Sequence, residues 1–130
     1  MKKIAAIFFV FAMLFGTVSF VAPTTTEATG GILFQELYRL YEKAKEKGKP
    51  AAEHEVVDDE RTLPKKGPAM SSKDLVNKGE LVQRRYYGPD GKADMDIDYT
   101  HHGNPKQHPK VPHRHDWDWS NKSNPRGDGY

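Results

Sequence analysis

Five of the six histidines lie within fifteen residues, as His101, His102, His108, His113 and His115, in a segment that also holds three prolines and runs directly into Asp116-Trp117-Asp118-Trp119. Imidazole can ligate a metal, move a proton near neutral pH or pair with phosphate. Two chemistries follow. Metal-independent cleavage of RNA needs a base for the 2′-hydroxyl, an acid for the leaving oxygen and cations for the phosphate in flight. For these roles the chain offers His102, His108, His113, His115 and Arg85 as catalytic candidates. Arg84 and Arg114 are candidates for binding phosphate, and Tyr86, Tyr87, Trp117 and Trp119 for stacking a base. The other chemistry is metal binding. His113-x-His115 puts two imidazoles on one side of an extended strand, about 6–7 Å apart at the backbone. A third ligand could fold back from His101, His102 or His108, and Asp116 or Asp118 could orient a ring. Such a set suits zinc or another divalent transition metal. A third reading makes the histidine and proline loop a surface that docks on a partner.

Several classes are excluded. There is no cysteine, so neither thiol catalysis nor a cysteine-ligated zinc site is available. Asp94-x-Asp96-x-Asp98 resembles the start of a calcium loop, but Tyr99 stands where the glycine is needed and Pro105 where the last glutamate is needed. The alternation of these aspartates with Ala93, Met95, Ile97 and Tyr99 reads instead as a strand with one buried and one solvated face. No nucleophilic-serine turn, phosphate-cradling glycine loop or dinucleotide fingerprint is present. Lys plus Arg total 20 and Asp plus Glu 18, so the chain lacks the basic surplus that holds nucleic acid by bulk charge.

The elements that must position these residues begin with a leader. Lys2 and Lys3 precede an apolar run from Ile4 to Phe15 and a small-residue stretch ending at Thr26-Glu27-Ala28, the pattern of a secretory signal peptide over residues 1–28. This places the protein outside the cell. The alternative is an uncleaved segment that anchors it, which would be its one link to a membrane. Cleavage leaves 102 residues, enough for one small domain. Residues 29–48 carry an amphipathic helix with Leu33, Leu37, Leu40, Tyr41 and Ala44 on one face, stopped by Gly48 and Pro50. Residues 49–70, rich in proline and mixed charge, read as a disordered linker. Residues 71–119 form the histidine-rich domain. Ser71-Ser72-Lys73-Asp74 predicts a short helix ended by Gly79. Two strand-like runs, Glu80 to Tyr87 and Lys92 to Tyr99, flank Gly88-Pro89-Asp90-Gly91 as a hairpin. That hairpin places Arg85 near Asp94, and Arg84 and Tyr86 with the apolar set. The polar, glycine-rich residues 120–130 read as a flexible tail. The class is α+β, a small single domain.

The run from Arg85 to Trp117 resembles a short C-terminal module of bacterial secreted and phage-associated proteins. The shared features are Arg85-Tyr86-Tyr87 with a following glycine turn, Asp96-Ile97-Asp98, His102-Gly103-Asn104-Pro105, and Pro112-His113-x-His115-x-Trp117. Such modules end polymorphic toxins and phage head-morphogenesis proteins. The resemblance implies a nuclease-like domain acting on RNA, with an immunity protein as partner if the chain is a toxin. The sequence departs from the pattern in having Gly88-Pro89-Asp90 at the turn, and it shows no large delivery region upstream.

Overall fold

The structure is a computed structural model that describes residues 30–101, 106 and 110–130. The predicted signal peptide, His102 and His108 lie outside the described residues. Among those described, no helix is long and apolar enough to cross a membrane. A helix (α1) spans residues 30–47; its first turns, residues 30–36, fall outside the compact unit Leu37–Tyr130. That unit combines the rest of α1 with a five-stranded sheet, the α+β class expected. Its strands are β1 (Glu53–Asp58), β2 (Ser71–Asn77), β3 (Glu80–Tyr87), β4 (Ala93–Asp98) and β5 (His113–Asp116). They lie in sequence order, β1 parallel to β2 and all other neighbours antiparallel.

The end of α1 follows from Gly48, which takes φ +69°. Its amide donates to the Lys45 carbonyl and the Lys49 amide to that of Ala44, the paired bonds of a glycine-terminated helix. Arg114 then donates to the Lys45 and Glu46 carbonyls from β5. Within this unit Tyr41 packs with Ala51, Tyr86, Met95 and Ile97 to form the apolar core, and its hydroxyl donates to Asp94 at 2.8 Å.

Three expectations are corrected here. Residues 49–70 are not a structureless linker, because β1 runs through them as a parallel edge strand, with His54 Nε2 3.2 Å from Asp74 and Nδ1 2.7 Å from the Ser72 hydroxyl. The predicted short helix at Ser71 is β2. Lys78 and Gly79 both take positive φ, which makes a two-residue hairpin turn into β3 rather than a helix end. The third correction concerns the tail, which is docked rather than loose: Arg114 and Tyr130 exchange both backbone hydrogen bonds, and the Gly127 amide donates to the Asp116 carbonyl.

The β3–β4 hairpin forms where expected, with Gly91 at φ +76° in its turn. Its register differs. A bulge between Tyr86 and Tyr87 leaves Tyr86 opposite Met95 and Tyr87 opposite Ala93, so Asp94 is the extra residue and Arg85 faces Asp96. Arg84 and Tyr86 do join the apolar side, but the other side is not solvated. Asp96 and Asp98 are wholly buried.

Tyr86 and Tyr87 are also wholly buried, and burial pushes both phenols up to about 12. Each folded value lies above the unfolded value of about 10, so the stability these groups contribute is whole below about pH 10 and lost as pH climbs toward 12. Phenolate absorbance should therefore lag behind that of free tyrosine and rise together with loss of the sheet's circular dichroism. Full ionisation near pH 10 with an intact sheet would contradict this packing.

Candidate functional site

The register across β3, β4 and β5 decides what meets on the face away from α1. Asp98 lies between Gln83 and His113, and Asp96 between Arg85 and His115. Directly opposed residues share a face, so one polar row lies beside another. The row through Asp96 is an ion-pair network. Arg85 donates to both carboxylate oxygens, at 2.7 and 2.8 Å, and to the Leu63 carbonyl at 2.7 Å, while its guanidinium lies 4.8 Å from the Trp117 ring centre. From the C-terminal segment, Arg126 donates Nε to Asp96 at 2.7 Å and Nη2 to Asp98 at 2.5 Å. A side chain 30 residues from Asp96 thus supplies the charge that lets these carboxylates be buried.

The row through Asp98 brings the two histidines together. Nε2 of His113 lies 3.5 Å, and Nε2 of His115 3.2 Å, from Asp98 Oδ2. Each ring is oriented through its other nitrogen: His113 Nδ1 donates to the Lys110 carbonyl at 3.0 Å, and His115 Nδ1 to that of Gly127 at 2.7 Å. A carbonyl can only accept, so each Nδ1 carries a hydrogen and each ring turns its Nε2 toward Asp98. Burial, the largest influence, and the nearby Arg126 charge keep the His115 imidazole below the usual histidine range. They outweigh its hydrogen bond to Gly127 and the Asp98 charge. Gly129 closes over the pair. A β-carbon there would stand 2.8 Å from His113 Cδ2 and 3.0 Å from His115 Cε1, so only glycine fits against the rings.

The ligand atoms of Asp98, His113 and His115 all lie within 4.8 Å of one another. A tetrahedral zinc with bonds of 2.0–2.1 Å has ligand atoms about 3.3 Å apart, and the two nitrogen-to-oxygen distances lie on either side of that value. Three possible ligand atoms converge, two of them on rings held by carbonyls in the manner of outer-sphere partners.

Of the residues expected from sequence, His113 and His115 meet. Their third companion is Asp98, and His101 is exposed and outside the group. The rings take their orientation from carbonyls rather than from Asp116 or Asp118; Asp116 accepts from the Tyr130 hydroxyl and Asp118 from Ser120. The candidate arginines, Arg85 for catalysis and Arg84 and Arg114 for phosphate, are engaged with protein groups. Arg84 forms a two-bond pair with Asp74 and donates to the Gly48 carbonyl, Arg85 holds Asp96, and Arg114 holds the end of α1. Among the proposed stacking groups, Tyr86 and Tyr87 are core residues, and Trp117 stacks on Trp119 with centroids 5.3 Å apart. The signal that could have found Asp98 was the Asp96-Ile97-Asp98 alternation beside His-x-His, had β4 and β5 been paired in the correct register.

Comparison with protein-family models, with curated proteins and with solved structures finds no match to this chain.

Proposed function

We propose that this protein is a metal-binding domain in which Asp98, His113 and His115 hold one divalent transition-metal ion, zinc by preference. The observation that carries this reading is the convergence of three ligand atoms within 4.8 Å, the two nitrogen-to-oxygen distances near the tetrahedral value, with both imidazoles oriented through their far nitrogens. Two nitrogens and one carboxylate favour zinc over the oxygen-seeking magnesium or calcium. Three protein donors leave the fourth position of a tetrahedral zinc to water or another ligand, and the burial of the three limits access to it. Cleavage of RNA finds less support, because the candidate arginines Arg84, Arg85 and Arg114 are bound to protein groups and His113 and His115 are buried. In this reading the motif shared with the toxin and phage modules is a signature of the polar sheet face. Arg85, Asp96, Asp98, His113 and His115 stand on that one side, and Arg85 lies over the Trp117 ring.

Calorimetric titration of the chain with zinc should give one equivalent of uptake, and His113→Ala and His115→Ala should each weaken it at least a hundredfold. His101→Ala, an exposed control, should leave it unchanged. No uptake by a folded chain, or undiminished uptake in both ligand variants, would refute the reading.

A further inference from the structure

We infer that Arg126 is a built-in competitor of the metal, a guanidinium that occupies Asp98 until a metal ion displaces it. The inference rests on the metal reading above and concerns how that site is regulated. Its basis is charge and geometry. Asp98 Oδ2, the oxygen nearest both imidazole nitrogens, is also the one that receives Arg126 Nη2. Among the described residues the charges around it balance: two buried carboxylates, Asp96 and Asp98, against two guanidiniums, Arg85 and Arg126. A dication added to that set would leave two surplus positive charges away from water, a costly arrangement. One cation must step aside.

Arg85 is poorly placed to do so. Its side chain is 5% exposed, it uses both Asp96 oxygens and the Leu63 carbonyl, and it lies over Trp117. Arg126 differs on each count. Its side chain is 28% exposed, it reaches the site from the C-terminal segment, and its two bonds are divided between two carboxylates. It can swing into solvent while the Gly127 carbonyl continues to hold the His115 ring. Release of Arg126 from Asp98 restores a carboxylate with both neighbouring imidazoles aimed at it. The competition also sets the working affinity. The apparent dissociation constant is the intrinsic one divided by the fraction of molecules in which Arg126 has let go, so the site fills only when metal is plentiful enough to outcompete the side chain.

Two measurements on the full chain, with zinc alone as the probe, test this. The variant Arg126→Gln keeps a hydrogen-bond donor but removes the charge, and it should bind zinc at least tenfold more tightly than the parent. In the parent, the Arg126 guanidinium NMR signals should shift on zinc addition and exchange with water at least tenfold faster. Equal or weaker binding by R126Q, or guanidinium signals indifferent to bound zinc, overturns the inference while the metal reading stands. Failure of both folded chains to take up zinc would instead remove the metal reading itself.

Discussion

Replacing Asp96 by alanine should destabilise the domain by about 3–5 kcal/mol, the range for removing one partner of a buried ion pair. Asp96 has no exposed surface and accepts three hydrogen bonds, two from Arg85 and one from Arg126. Its loss would strand the Arg85 guanidinium in a place where water cannot replace the carboxylate. The total stability of a natural domain is only about 5–15 kcal/mol, and a chain of this size without disulfides sits toward the low end. D96A should therefore lose most of its urea resistance or fail to fold. A control lies on the same sheet. Glu55 accepts from Lys73 with its own side chain 62% exposed, so Glu55→Ala should cost no more than about 1 kcal/mol. Unfolding free energies from urea titration within about 1 kcal/mol of each other for the two variants would show that the polar face is not the buried network described.

That network also marks where the sequence could be read and where it could not. The β3–β4 hairpin was legible because a glycine-bounded turn joins two runs of the right length, and the end of α1 because Gly48 follows a periodic apolar face. The strand β2 was not. Ser71, Ser72 and Asp74 are polar yet buried, so the alternation that announces a half-buried strand is absent, and a serine followed by an acid mimics a helix cap. β1 is an exposed edge strand of Glu53, His54 and Glu55, with a composition suited equally to a linker. The aspartates of β4 looked solvated because their cations depend on pairing: Arg85 meets Asp96 only in the bulged register, and Arg126 reaches both from beyond β5. The site followed the same pattern. His113 and His115 were visible as a spacing, whereas Asp98 joins them only through the β4–β5 register, which no local rule determines. Local chemistry was legible, and pairing between distant segments was not.

The largest response expected of the site is thermal. An ion bound by the folded chain alone stabilises it by RT ln(1 + [L]/Kd), about 2.7 kcal/mol at a hundredfold excess over the dissociation constant. For a domain of 60–100 residues each kcal/mol moves Tm by about 4–8 °C, so saturating zinc should raise it by roughly 10–20 °C. The increment, not Tm itself, carries the information. Alanine at His113 or His115 removes a packed ring and leaves the Lys110 or Gly127 carbonyl without its donor, which lowers the metal-free Tm whether or not metal ever binds. A ligand role predicts that the zinc increment vanishes in both variants, whereas a purely structural role predicts a lower baseline with no increment in any chain, the parent included. Magnesium separates the site from general charge screening, because a hard cation that seeks octahedral oxygen should leave Tm unmoved. An equal increment from zinc in the parent and in both alanine variants would place the ion elsewhere, and a parent indifferent to zinc would leave the Asp98–His113–His115 group as a buried hydrogen-bonded cluster that holds β4 to β5.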